Sequence, residues 1–205
     1  MKKHSILIGI LLSVFLLVVA AWQYPGGSAI YPHAVGFDWK HNFISNLFGQ
    51  KALNGDPNPA RFWAMGGMIF LSASYALFFV RFSTKIPPGG AVNVIRYCGV
   101  SGMFFTFLIA TPLHDIMITI ASTLFLVSLF YITVFIFKSP LTLFKLLCPM
   151  CLLFFYGTLY VYGSGNFWQW LPALQKATFV LTAAVVLGLD YFSTTQDFQP
   201  LSSAN

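Results

Sequence analysis

The fold is decided by long apolar stretches, of which the first is Ser5–Trp22, SILIGILLSVFLLVVAAW. A helix needs about 20 mainly apolar residues to cross about 30 Å of bilayer hydrocarbon. Stretches of this kind lie at roughly residues 5–22, 60–82, 94–110, 112–137, 143–162 and 171–192. The sequence therefore predicts an all-α polytopic membrane bundle of about six transmembrane helices, organised as a single integral membrane domain over residues 1–205.

The first stretch has two interpretations. Its basic start and the small residues Val19–Ala21 are also features of a cleaved signal peptide. The apolar run is long for a signal peptide, however, and Trp22 and Tyr24 follow it as aromatic residues suited to a membrane interface. We therefore predict a retained first helix, with cleavage as the alternative.

The composition supports a membrane location. The chain is 58% hydrophobic and 8% charged, with a mean hydropathy of +0.77, whereas about a quarter of the residues in a soluble domain are charged. Glutamate is absent, which excludes motifs that require it, such as the His-Glu-x-x-His zinc site. The net charge of +6 is explained by attraction to membrane surfaces, so it indicates membrane lipids as partners and no nucleic acid.

The basic residues predict an orientation. With the N-terminus in the cytoplasm, the inner set is Lys2, Lys3, Arg81, Lys85, Arg96, Lys138 and Lys145, and the outer set is Lys40, Lys51, Arg61 and Lys176. An inner excess agrees with the positive-inside rule. We expect a bacterial cytoplasmic membrane protein with both termini inside and the loop at 23–59 outside.

The outer loop contains an unusual polar segment, Phe37–Gly49, FDWKHNFISNLFG. On a helix, one face would carry Asp38, His41, Asn42, Ser45 and Gly49, and the other would carry Phe43, Ile44, Leu47 and Phe48. This division predicts a short amphipathic helix. After it, Asn58 and Pro59 are typical of the N-cap and first position of the second transmembrane helix.

Polar residues predict a site at the outer surface. His114 and Asp115 begin the fourth helix, and Asp115, Thr119 and Ser122 continue inward as a polar stripe. The catalytic candidates are His41, His114, Asp115, Asp38 and Ser45, and the candidates for ligand binding are His33, Asn42, Asn46, Thr119 and Ser122. We expect the loop helix to pack on the fourth helix, placing Asp38, His41 and Ser45 near His114 and Asp115.

Two simpler interpretations of these residues remain open. Asp38 would serve as an N-cap and Asp115 would complement the helix dipole, without any chemistry. The metal candidates are His41, His114 and Asp115, but the histidine spacing matches no compact metal signature. We therefore assign no metal, and the sequence identifies no cofactor.

Two other patterns suggest chemistry less directly. Cys148-Pro-Met-Cys151 has the spacing of redox and metal motifs. It lies in an apolar run without a βαβ pattern, so we interpret the cysteines as buried packing residues. The aromatic residues Tyr156, Tyr160, Tyr162, Trp168 and Trp170 are typical of an interfacial belt, and part of this set could instead line an apolar ligand pocket.

Short motifs carry a resemblance to a known family. The segment Asn42-Phe-Ile-Ser45-Asn46-Leu47-x-Gly49 and the segment Leu113-His114-Asp115 with a later Ala121 resemble an uncharacterised six-helix bacterial membrane family, domain of unknown function nine-nine-eight. That family is distantly similar to DRAM/Sfk-type membrane proteins. An aspartate commonly follows the serine in the family, where this chain has Asn46. The resemblance implies fold and topology, and no reaction.

Three classes of function fit these observations. The first is binding or sensing of a lipid or other hydrophobic ligand at the outer face, because polar groups ring an apolar bundle. The alternative is a membrane-embedded hydrolase or transferase that acts on lipid head groups through the His/Asp candidates. A small transporter is third, because no internal repeat is visible.

Overall fold

The computed structural model describes residues 3–111 and 113–199. The α-helices in this part of the chain are α1 (Ser5–Gln23), α2 (Ala60–Ser83), α3 (Gly90–Leu108), α4 (His114–Phe137), α5 (Thr142–Ser164) and α6 (Leu171–Phe192). All six are long and apolar enough to cross a membrane. The predicted all-α fold with six spans is confirmed, and the chain is a multi-pass membrane protein.

The helices form an up-and-down bundle. Each helix packs against the next one along the chain, and α6 returns to contact α2 and α1. The long connection between α1 and α2 therefore lies at the same end as the α3–α4 and α5–α6 connections. We call this the loop end of the bundle, and the long connection (residues 24–59) the loop.

Most helix bounds lie within two residues of the prediction, and α3 differs most. It begins at Gly90 instead of at residue 94. Gly90 is the last residue of Pro87-Pro-Gly-Gly90, a segment whose prolines and glycines predict a turn. The fourth helix begins at His114, and Pro112, the predicted first residue, lies outside the described residues. Thr111 still supports this corner, because its hydroxyl oxygen accepts a hydrogen bond from the amide of Leu113, 3.3 Å away.

Small residues bring the first three helices close together. Any side chain at Gly9 would collide with Ser74, and one at Gly67 would press on Leu17. Glycine and serine allow this approach between α1 and α2, as they do in other membrane bundles. Gly99 of α3 lies directly against the ring of Phe79, which is 1% exposed. These contacts fix the wall that α2 presents to the rest of the bundle.

Charged groups tie α6 to α2 at the end opposite the loop. Arg81 Nη1 lies 3.5 Å from Asp190 Oδ2, and the Asp190 side chain is 7% exposed. Lys85 Nζ donates to the carbonyl oxygens of Leu189 and Asp190 at 3.1 and 2.9 Å. The lysine thus satisfies carbonyls at the C-terminus of α6 and complements its dipole. A buried ion pair and a cation cap therefore hold α6 beside α2.

The loop contains a shorter helix than the sequence predicts. It is a 3-10 helix, Ile44–Phe48, and it packs against α2 and α6 rather than mainly against α4. The reason is local hydrogen bonding: Asp38 Oδ1 accepts from the amides of Lys40 and His41, and such bonds compete with helix formation. The predicted polar face does not form either, because Asn42 is fully buried.

Asn58 also has a different role from the predicted one. The helix begins at Ala60 without a side-chain cap. Asn58 Nδ2 instead donates to the carbonyl oxygens of Leu47 and Gly49, at 3.1 and 2.9 Å. The side chain therefore fastens the end of the 3-10 helix to the start of α2.

The three cysteines are free thiols. Cys148 and Cys151 are both fully buried, and Cys151 Sγ lies 3.5 Å from the Thr182 hydroxyl of α6. Their burial between α5 and the bundle agrees with the interpretation as packing residues.

Candidate functional site

A cavity of about 500 Å³ lies inside the bundle, under the loop. It is bounded by α2 to α6 and by Phe43, Ile44, Ser45 and Phe48 of the loop. Asp115 borders the cavity and its side chain is 80% exposed. The cavity is therefore open to its surroundings at the loop end.

The cavity wall is apolar in character. The apolar residues that line it inside the bundle are Met68, Leu71, Met103, Ile109, Ile118, Ala121, Phe125, Phe155, Leu159, Leu171 and Phe179. Threonines interrupt this wall, but their hydroxyls donate to carbonyls of their own helices: Thr106 to Gly102, Thr158 to Phe154 and Thr182 to Thr178. Since these donors are already satisfied, the wall suits an apolar guest.

Two side chains of α6 hold the loop over the cavity. The amide of Ile44 donates to Gln175 Oε1 at 2.9 Å, and Lys176 Nζ donates to the carbonyl oxygen of Asn42 at 2.6 Å. The ring of Phe43 also meets the edge of Trp168, with centroids 5.8 Å apart. Hydrogen bonds from the second turn of α6 to the loop backbone, and an aromatic contact with Trp168 just before α6, thus fix the loop.

Asn42 organises the loop internally. Its side chain is fully buried. Nδ2 donates to the carbonyl oxygen of Gly27 at 2.8 Å, and Oδ1 accepts from the amide of Asp38 at 2.9 Å. The side chain therefore joins the two halves of the loop. Its role is structural.

A His/Asp pair lies in the loop. His41 Nδ1 is 2.6 Å from Asp38 Oδ2, and the two side chains are 15% and 27% exposed. The hydrogen bond from His41 is the main cause that lowers the pKa of Asp38 from its ordinary value of 3.8. The pair supports the turn that precedes the 3-10 helix.

A second His/Asp pair lies at the cavity mouth. His114 Nδ1 is 2.9 Å from Asp115 Oδ1, and the Tyr162 hydroxyl donates to the same oxygen at 2.8 Å. Because a carboxylate only accepts, the contact places a proton on Nδ1, and Nε2 is an acceptor whenever the ring carries that proton alone. Among the described residues, Nε2 is buried and has no hydrogen-bond partner.

The structure separates the sequence candidates into two groups. The candidates that line the cavity are Ser45, His114, Asp115 and Ser122. The candidates outside its lining, within the described residues, are His33, Asp38, His41, Asn42, Asn46 and Thr119. Of the three loop residues expected near His114 and Asp115, only Ser45 shares the cavity with them.

The candidate metal ligands do not form a metal site together. In residues 3–111 and 113–199, no group of three or more His, Cys, Asp or Glu side chains could hold a metal ion. The set of His41, His114 and Asp115 is therefore not such a group.

Several important residues have roles that the sequence analysis did not identify. Gln175 and Lys176 hold the loop, Tyr162 binds Asp115, and Tyr75 lines the cavity deep in α2. Gln175 and Lys176 form a polar pair near the start of an otherwise apolar helix, and this signal is visible in the sequence. Tyr75 lies within the second apolar stretch, and no local pattern distinguishes it from a packing residue.

No protein-family model, curated protein or solved structure matches this chain. The resemblance to the six-helix family named above therefore stays a prediction.

Proposed function

We propose that this protein binds a lipid or other hydrophobic ligand in the cavity beneath the loop. The observation that carries the proposal is the cavity of about 500 Å³ with an apolar wall and polar groups at its mouth. Ligand sites in proteins typically have volumes of about 300–1,000 Å³ and combine apolar walls with a few placed polar groups. Membrane lipids are the proposed source of the ligand.

The mouth suits the polar part of an amphiphile. His114 Nε2 is buried without a partner among the described residues and is an acceptor when only Nδ1 carries a proton. The exposed Asp115 carboxylate lies beside the ring. A head group that carries hydroxyl or ammonium donors would bind these acceptors, while its tail would occupy the apolar interior. The fixed loop then closes over the ligand from one side.

A membrane-embedded hydrolase or transferase is the second candidate, and one observation favours it. A histidine oriented by a carboxylate through Nδ1, with Nε2 free to accept a proton, is the arrangement of a general base. Ser45 lines the same cavity and would be the nucleophile in this case. Lipid head groups would be the substrates.

Analysis of what the purified protein retains tests the binding proposal. We expect extraction and mass spectrometry to find about one lipid per chain, and elemental analysis to find no stoichiometric zinc. Bound zinc with no retained lipid would contradict the proposal and favour a metal-dependent enzyme.

Turnover distinguishes binding from catalysis. If the protein only binds, lipids incubated with it will be recovered unchanged, and His114→Gln will alter affinity alone. Release of a head group or acyl chain that His114→Gln abolishes would establish the enzyme instead. Thr119→Ala on the same helix is the matched control, because Thr119 is exposed and lies outside the cavity lining.

We also propose that the loop faces the outside of a bacterial cytoplasmic membrane and that both termini lie inside. The support is the excess of lysine and arginine at the opposite end. Single cysteines placed in the loop of a variant without the three native cysteines should react with an impermeant thiol reagent in intact cells. Reaction of a cysteine in the tail beyond Phe198 instead would contradict this orientation.

A further inference from the structure

Tyr75 is a polar residue at the inner end of the cavity. It lies about 22 Å along α2 from Ala60, at about 1.5 Å of rise per residue. Its side chain lines the cavity and is only 5% exposed. Within the described residues, its hydroxyl is buried and has no hydrogen-bond partner.

Such a hydroxyl is unusual in a folded protein. Buried tyrosine hydroxyls usually have a hydrogen-bond partner, since burial without one is unfavourable. Phenylalanine would fill nearly the same space without this penalty, and the neighbouring positions of α2 are indeed Phe78 and Phe79. An oxygen of a ligand that reached the Tyr75 hydroxyl from the cavity would therefore remove this penalty.

A second oxygen lies on the facing helix. Thr182 lines the cavity and donates its proton to the carbonyl oxygen of Thr178 at 2.6 Å. Its oxygen lies 3.5 Å from the Cys151 thiol, which takes one of its two acceptor positions and leaves the other. The inner end thus offers a free donor from Tyr75 and an acceptor from Thr182. A hydroxyl or a carbonyl oxygen of a ligand would accept from Tyr75.

We infer that the ligand is a bipolar amphiphile: a long apolar body with a polar group at the mouth and a second oxygen, a hydroxyl or carbonyl, bound by Tyr75 at the inner end. This inference rests on the proposed binding function and specifies its ligand class. A simple lipid with a saturated hydrocarbon tail would leave the Tyr75 hydroxyl without a partner.

Competition binding with two matched probes tests the inference. Hexadecanol has one terminal hydroxyl, and hexadecanediol has a hydroxyl at both ends. Each probe is titrated against a fluorescent fatty acid bound to wild type, Tyr75→Phe and Tyr156→Phe. Tyr156 is the matched control, because it is 56% exposed and lies outside the cavity lining. The ratio of the two affinities is compared between variants, because the different partition of the two probes into detergent is the same for every variant and cancels.

The expected result is a preference of wild type and Tyr156→Phe for the diol that exceeds that of Tyr75→Phe by about twofold to tenfold, the range for one neutral hydrogen bond. Tyr75→Phe should lose this preference and keep its affinity for hexadecanol, which also shows that the variant folds. Equal diol preference in wild type and Tyr75→Phe would overturn the inference and leave the binding function intact. Binding of neither probe to wild type would overturn both.

Discussion

Replacing Asn42 by alanine should open the loop without unfolding the bundle. The substitution removes the hydrogen bonds to the carbonyl of Gly27 and from the amide of Asp38, and both partners lose their contact with this side chain. A buried group left without a partner costs about 1–3 kcal/mol. Allowing for partial relaxation, we expect local opening to become easier by about 2–4 kcal/mol.

Hydrogen exchange measures this opening. At about 1.4 kcal/mol for each factor of ten, amides of the loop 3-10 helix should exchange roughly 30 to 700 times faster in Asn42→Ala. Helical circular dichroism should stay close to that of wild type, because α1 to α6 do not depend on this side chain.

The matched control is Asn54→Ala in the same loop. Asn54 is half-buried, and its side-chain hydrogen bonds are exposed and reach only Asp56, two residues away. Surface substitutions of this kind usually change stability by less than about 0.5 kcal/mol. Its exchange should therefore rise by no more than about twofold. Equal exchange in the two variants would refute the role of Asn42 as the internal tie of the loop.

Three further predictions concern packing, pH and the thiols. Gly99→Ala should destabilise the bundle by about 1–3 kcal/mol through collision with a buried phenylalanine ring of α2; an unchanged thermal midpoint would contradict this. The stabilisation from Asp38–His41 should be complete above the ordinary Asp38 pKa of 3.8 and decrease as the pH falls through the lowered pKa. A fluorophore on the loop should report this acid loosening, and Asp38→Asn should abolish it. Replacing Cys148 and Cys151 together by alanine should leave folding and ligand binding largely intact; loss of either would show that the pair does more than pack.

The helices could be predicted because their signal is local. An uncharged apolar run of sufficient length has few alternatives to a transmembrane helix, and α1, α2 and α6 accordingly end within one residue of the prediction. The beginning of α3 was missed because Gly89 and Gly90 were taken as part of a turn, whereas Gly90 begins the helix.

The loop and the site could be predicted only in part. His114 and Asp115 were identified because charged groups at a helix start within an apolar sequence are conspicuous. The arrangement around Asn42 depends on partners that are distant in sequence, such as Gly27 and Lys176. Periodicity contains no information about these partners, so it predicted a regular amphipathic helix where side-chain hydrogen bonds give a shorter one.

The most direct test of the central claim is to fill the cavity and measure the retained lipid. Ala121 lines the cavity and is 3% exposed, so Ala121→Trp should occupy the space that a ligand needs. Ala73→Trp, at an exposed position of α2 outside the cavity lining, adds the same side chain to the surface.

Native mass spectrometry of the three proteins should show about one bound lipid per chain in wild type and Ala73→Trp, and little or none in Ala121→Trp. Ala121→Leu, a smaller substitution that is easier to accommodate, should give an intermediate occupancy. Equal lipid occupancy in wild type and a folded Ala121→Trp variant would contradict the proposal that the cavity is the binding site.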